Sequence, residues 1–220
     1  MSETSFAADS PFWSEFEAAV SFATRLHAGQ LRKGEPGKGW DVPYLAHLIG
    51  VAGLVLEAGG SRDQVIAALL HDSVEDQSAH YPGGADGLRA EIASRFGTGV
   101  LAIVNGCSDS DTVPKPPWQV RKQAYIDHLV AAPAAVQLVS CADKLHNARA
   151  IVSDLHRIGA QVFERFKGGQ SGTHWYYREL SQIFVHSSQQ PGMPPGLGFL
   201  ATELARTVAQ IEAWPTAQAE

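Results

Sequence analysis

Apolar residues recur at helical spacing through most of the chain, and no stretch alternates apolar and polar positions as a half-buried strand does. Ser10-Pro11 is a helix-start signal, and Phe12, Phe16, Ala19, Val20 and Ala23 follow at helical intervals, so a first helix is predicted to run to about His27. The stretch from Gly29 to Gly39 carries three cations, Arg32, Lys33 and Lys38, and no apolar period, which predicts a loop. Tyr44 to Glu57 is apolar almost throughout, with His47 as a polar position near its start, and Gly59-Gly60 closes it. Ser61 caps a helix that carries Ala67-Ala-Leu-Leu-His71-Asp72-Ser-Val-Glu75-Asp76-Gln77 and ends at a loop through Pro82-Gly-Gly84.

Two short helices, Asp86 to Phe96 and Thr98 to about Cys107, flank Gly97, and a polar, Pro-rich loop follows to Pro117. A helix from Trp118 stops near Pro133, and the next begins there with Ala134-Ala-Val-Gln-Leu-Val-Ser-Cys141-Ala-Asp143-Lys144-Leu-His-Asn147. A Gly-rich turn over 167–172, a helix from Thr173, a Pro/Gly loop around 191–198 and a last helix to about Trp214 complete the chain. The predicted fold is a single all-α domain of about eight to ten helices over residues 1–220.

Composition changes this picture little: 45% hydrophobic and 18% charged residues are ordinary for a globular protein. A net charge of −6 argues against a general nucleic-acid binder, since phosphate backbones reward an excess of Lys and Arg. It leaves room for a small phosphorylated ligand, which needs only a few local cations. Cys107 and Cys141 lie far apart with no metal or disulfide spacing, no apolar run reaches the length of a membrane span, and acids stand near the N-terminus where a signal peptide wants bases. The expectation is a cytoplasmic protein with no membrane partner.

The chemistry concentrates in three helices. On a continuous helix His71 and Glu75 share one face and Asp72 and Asp76 another, the two faces diverging by about 100°. His47 alone reads either as a satisfied core histidine or as a ligand. Asp143 follows a nearly apolar run and needs a partner if buried, either a metal or a salt bridge to Lys144 or Arg149. Taken together, His47, His71, Asp72 and Asp143 offer two imidazoles and two carboxylates, a set suited to Mn²⁺, with Fe²⁺ or Zn²⁺ as alternatives. Such a set leaves coordination positions for water and substrate, with Glu75 and Asp76 beside it to orient the water and move its proton.

His47, then His71-Asp72-x-x-Glu75-Asp76, then Asp143-Lys-Leu-His-Asn147 resembles the HD-domain metal-dependent phosphohydrolases. Within them it is similar to the SpoT/Rel-type hydrolases of guanosine tetraphosphate (ppGpp), and more closely to the small alarmone hydrolases. His27-Ala-Gly-Gln-Leu-Arg32-Lys33 and Pro43-Tyr-Leu-Ala-His47 extend the likeness, which spans roughly residues 20–150. The resemblance implies a helical HD domain whose metal core covers that span, with the C-terminal helices of 151–214 packed on it. It also implies one Mn²⁺ on the four residues named, a catalytic pair in Glu75-Asp76, and removal of a 3′-pyrophosphate from ppGpp by a metal-activated water.

Arg32 and Lys33 then become phosphate or nucleotide contacts, Asn147 a position near the nucleotide, and Lys115 and Arg121 further phosphate contacts. Tyr176, within Trp175-Tyr176-Tyr177, either stacks on a base or belongs to the core. The loop between Lys33 and Pro43 is longer than is usual in that family, and Ala150 stands where its members often have Thr. Both departures fall on the part that would choose the base. Alternative substrates are therefore a ppApp-type alarmone, a nucleoside monophosphate or the 2′-phosphate of NADPH, and a non-catalytic nucleotide-sensing module is a third reading. Oligomeric state is not legible.

Overall fold

The structure is a computed structural model that describes residues 7–33, 41–108 and 116–215. Ten α-helices account for most of them, and among the described residues the only β-type pairing is an isolated bridge between Leu31 and Pro43. The all-α expectation therefore holds. The helices group into two compact units, residues 1–113 and 114–220.

In the first unit, α1 (Pro11–Leu26) starts as the sequence predicts, with the Ser10 hydroxyl accepting from the Phe12 N–H at 3.2 Å. The unit continues through α2 (Leu45–Glu57), α3 (Arg62–Leu70), α4 (Ser73–Gln77), a 3₁₀ turn over Ser78–His80, α5 (Gly84–Phe96) and α6 (Thr98–Cys107). The centre of this unit is α3. Every residue from Val65 to Leu70 is fully buried, so α3 is apolar on all sides and packs against α1, α2 and α6 together. Ser61 and Gln64 close a capping box at its start, the Ser61 N–H donating to Gln64 Oε1 at 2.7 Å. Gly97 joins α5 to α6 at φ 98° and ψ 160°, a conformation that a side chain would strain.

One expectation needs correction here, since the helix predicted to carry 67–77 without interruption breaks in two. α3 stops at Leu70 and α4 restarts at Ser73, although His71 (φ −60°, ψ −32°) and Asp72 (φ −94°, ψ −3°) keep right-handed backbone. The His71 ring takes up the Ala68 carbonyl at 2.8 Å, the acceptor that the Asp72 N–H would use in an unbroken helix. A side-chain donor thus competes with the backbone ladder at the break. The Asp76 N–H still bonds the Asp72 carbonyl at 2.9 Å, so Asp76 remains one turn beyond Asp72.

The second unit holds α7 (Trp118–Val130), α8 (Ala134–Ile158), a 3₁₀ segment over Gly159–Arg165, α9 (Gly169–Ser188) and α10 (Pro195–Glu212). The 25-residue α8 buries Val136 to Asp143 in an unbroken run, and it packs chiefly on α10. Two boundaries depart from the sequence reading. The Gly-rich segment expected as a turn supplies the first turn of α9, and Pro195, inside the expected loop, is the first residue of α10, a position where its missing N–H costs nothing.

The Gly168–Gly172 pair is explained by space rather than by turn-making. The Trp118 indole lies against both, and a Cβ at residue 168 would come within 2.6 Å of its Cη2. Gly168 has φ −83° and ψ −6°, open to any residue, so Gly168→Ala isolates that steric clash. It is expected to lower the unfolding free energy by about 1–3 kcal/mol, read from chemical denaturation, as overpacking of a filled site does. An unchanged denaturation midpoint would mean that Trp118 can swing clear.

Candidate metal centre and catalytic site

In the first unit, candidate ligands gather at the start of α2 and the end of α3. Tyr44 precedes α2 and His47 sits in its first turn, three residues on and therefore on a neighbouring face. His71 and Asp72 occupy the break after α3. His47 and His71 are 1% and 2% exposed, their rings lie edge to face with centroids 5.3 Å apart, and a ligating nitrogen of each comes within 4.8 Å of the other's. Asp72 Oδ2 is the common neighbour, 3.1 Å from His71 Nε2 and 3.6 Å from His47 Nε2. It also accepts the Tyr44 hydroxyl at 2.5 Å.

The tautomer of His71 follows from its surroundings. A carbonyl can only accept, so the contact to Ala68 places a proton on Nδ1, and in the neutral ring the Nε2 lone pair then faces the Asp72 carboxylate. Lone pair against anion at 3.1 Å is repulsive for a neutral imidazole and becomes favourable with a cation between the two. The donor set here, imidazole nitrogens and a carboxylate oxygen, suits a divalent ion of intermediate hardness.

Past the break, Glu75 is half-buried and Asp76 exposed. Gln30, from the segment after α1, donates to Asp76 Oδ2 at 2.8 Å. His27 stacks on Tyr44 with centroids 5.2 Å apart, and burial pushes its pKa below the ordinary imidazole value despite the opposing Gln30 contact. The loop predicted after Gly29 is pinched at its stem, where the Arg32 N–H donates to the Val42 carbonyl and the Tyr44 N–H to that of Gln30, both at 2.9 Å. Arg32 and Lys33 leave from that stem, next in sequence to Gln30 and Leu31, with Arg32 half-buried and Lys33 exposed.

In the second unit Asp143 is 5% exposed on α8. Lys144 Nζ lies 2.6 Å from its Oδ2, and Asn147, one turn on, donates to its Oδ1 at 2.5 Å. Of the two salt-bridge partners expected for Asp143, Lys144 takes the role and Arg149 pairs instead with Glu203 at 3.6 Å. Lys144 also sits over the Tyr125 ring at 4.9 Å. Burial works against its charge, but the adjoining Asp143 carboxylate together with the Tyr176 and Tyr125 phenols outweighs that and holds its pKa well above the ordinary lysine value.

Arg121 is half-buried on α7, and Lys122 lies 4.8 Å over the ring of Tyr176. Tyr176 is 6% exposed and packs against Trp118, Trp175 and Tyr177. Lys115 lies outside the described residues. Sequence reasoning passed over Tyr44, Gln30, Gln77 and Lys144 as functional residues. Spacing offered a signal for Tyr44, three before a candidate ligand at a helix start, and none for the two glutamines.

Residues 19–173 match the family model described as HD domain. The chain belongs to the HD-domain family. It is 32% identical to the human guanosine-3′,5′-bis(diphosphate) 3′-pyrophosphohydrolase MESH1 over 189 residues, which span 80% of this chain and 93% of that one. The enzyme of the same name from Xenopus tropicalis is 37% identical over 133 residues, 60% of this chain and 66% of that one. A solved structure described as a metazoan ortholog of SpoT that hydrolyzes ppGpp superposes with a TM-score of 0.64 at 24% identity, covering 88% of this chain and 94% of its own, and supports the fold alone. The expected HD phosphohydrolase is thus the class to which this chain belongs, and an HD domain implies a divalent metal. Among the described residues no helix is long and apolar enough to cross a membrane.

Proposed function

We propose that the chain is a Mn²⁺-dependent hydrolase that converts ppGpp and water to GDP and pyrophosphate. The observation that carries the reading is the His71-Asp72 arrangement, a ligand nitrogen fixed by its own tautomer against a carboxylate that His47 also approaches. The names of the two relatives supply the substrate. His47, His71 and Asp72 would hold the ion, and the order of the motifs makes Asp143 the proposed fourth ligand.

When bound, the ion supplies a Lewis acid that polarises the phosphoryl oxygens and acidifies water. The remaining work belongs to side chains. Glu75 accepts the proton of the attacking water, and Asp76 orients that water toward the 3′-diphosphate. Attack at phosphorus breaks its bond to the ribose 3′ oxygen, which takes a proton from solvent and leaves as GDP while Glu75 returns its proton to solvent. Arg32 and Lys33 balance the charge of the diphosphate, Arg suiting its oxygens in bidentate fashion. The resemblance adds Asn147, Arg121 and Lys115 as further candidate nucleotide contacts, and Tyr176 as a candidate for stacking on the base. Both cysteines are buried thiols, which fits a reducing cytoplasm.

The test is product analysis. Purified protein with Mn²⁺ and ppGpp is expected to release GDP and pyrophosphate. Orthophosphate from NADPH or from a nucleoside monophosphate, with ppGpp untouched, would move the chain to another substrate. Fe²⁺ and Zn²⁺ run in parallel decide the metal.

A further inference from the structure

We infer that Gln30 is a positioning residue for Asp76, its side-chain amide held in one orientation by His27 and Gln77 so that its N–H aims the Asp76 carboxylate. The inference rests on the proposed role of Asp76, and its geometry lies wholly within the first unit. Three contacts converge on one amide. Gln30 Oε1 lies 2.6 Å from His27 Nδ1 and 2.5 Å from Gln77 Nε2, while Gln30 Nε2 lies 2.8 Å from Asp76 Oδ2.

The proton assignments follow from donor and acceptor capacity. Gln77 Nε2 is only a donor, so the Gln30 atom facing it must be the oxygen. A carboxylate is only an acceptor, so the Gln30 atom facing Asp76 must be the nitrogen. The remaining choice is the His27 tautomer. Gln77 Nε2 also approaches His27 Nδ1 at 3.4 Å, which would call for an acceptor there, but the 2.6 Å contact to Gln30 Oε1 calls for a donor and is far the shorter. His27 therefore carries its proton on Nδ1. That leaves Nε2 to accept the Ser73 hydroxyl, 3.4 Å away.

Both lone pairs of Gln30 Oε1 are thereby occupied, and a flipped amide would set its NH₂ against two donors. The amide cannot turn without losing two hydrogen bonds, and so its N–H stays on Asp76. A hydrogen bond from a fixed amide narrows the rotamers of an exposed aspartate, and a proton-handling carboxylate loses rate when its approach to substrate is loose. The anchors come from both sides of the site, His27 and Gln30 from the segment after α1 and Gln77 from the end of α4, the residue next to Asp76.

The experiment combines side-chain NMR with kinetics on the full chain. In the ¹H–¹⁵N spectrum the Gln30 side-chain amide is expected to give two well-dispersed, exchange-protected resonances that collapse toward free-glutamine positions in Asp76→Asn, with or without activity. Gln30→Leu is expected to lower kcat for ppGpp about 10–100-fold with KM within about threefold and Mn²⁺ affinity unchanged, the size seen when a supporting residue is removed. In an Asp76→Asn background it should cost nothing further, because the residue acts through Asp76. Gln77→Ala, which removes one anchor and leaves Gln30 in place, should give a smaller loss of the same kind and covers the case in which Gln30→Leu fails to fold.

Losses that multiply in the double variant, or Gln30 resonances indifferent to Asp76→Asn, would overturn the inference. A wild-type protein inert toward ppGpp would sink the substrate reading instead, and the NMR result would still decide whether Gln30 holds Asp76.

Discussion

Asp143→Ala is expected to remove metal binding and activity together. If Asp143 supplies one of four ligands, the remaining three hold the ion poorly, and a protein stabilised by its metal loses that stabilisation. At a metal concentration of about one hundred times Kd, binding contributes about 2.7 kcal/mol, or roughly 5–10 °C in Tm for a chain of this size. That shift should vanish in the variant. A complication comes from Lys144, whose ammonium is 14% exposed and 2.6 Å from the carboxylate. Deleting the carboxylate strands a largely buried charge, at a cost of about 3–5 kcal/mol, so the single variant confounds lost metal with lost fold.

Asp143→Ala combined with Lys144→Met removes both charges and is expected to refold without regaining metal. The contacts already made to Asp143 do not preclude ligation, since a carboxylate has about four acceptor positions and Lys144 and Asn147 occupy two. A full metal-dependent Tm shift in the double variant would strike Asp143 from the ligand set.

Most of the helices were legible because their signals are local. Ser10-Pro11 and Ser61 start helices by side-chain caps, and Pro133 stands at the start of α8 as read. What failed to show was whatever depends on a partner distant in sequence. Gly168 and Gly172 read as turn punctuation because nothing nearby reveals that the Trp118 indole needs their missing Cβ atoms. The break at His71-Asp72 escaped for a different reason. Composition there favours an unbroken helix, and the side-chain contact of the His71 ring with the Ala68 carbonyl leaves no mark in the hydrophobic pattern.

The site divides in the same way. His47, His71, Asp72 and Asp143 stand out as polar residues in apolar surroundings, a contrast visible in one dimension. Gln30 and Gln77 are neutral amides in polar stretches, and their meaning appears only when the fold brings Gln30 against both Gln77 and Asp76. Residues that carry charge into a core announce themselves, whereas residues that aim those charges do not.

Glu75→Gln is expected to separate holding the ion from using it. The substitution preserves size and removes only the ability to take up a proton, so a group that accepts the proton of the attacking water should cost about 10² to 10⁴ in kcat. At about 1.36 kcal/mol for each tenfold, that is roughly 3–5 kcal/mol of transition-state stabilisation. Metal affinity and its Tm shift should stay at the wild-type level, because Glu75 stands one turn past His71 rather than at the break that holds the proposed ligands His71 and Asp72. KM should move little for the same reason. Loss of metal in Glu75→Gln would make it a ligand, and an unchanged kcat would leave Asp76 as the group that handles the proton.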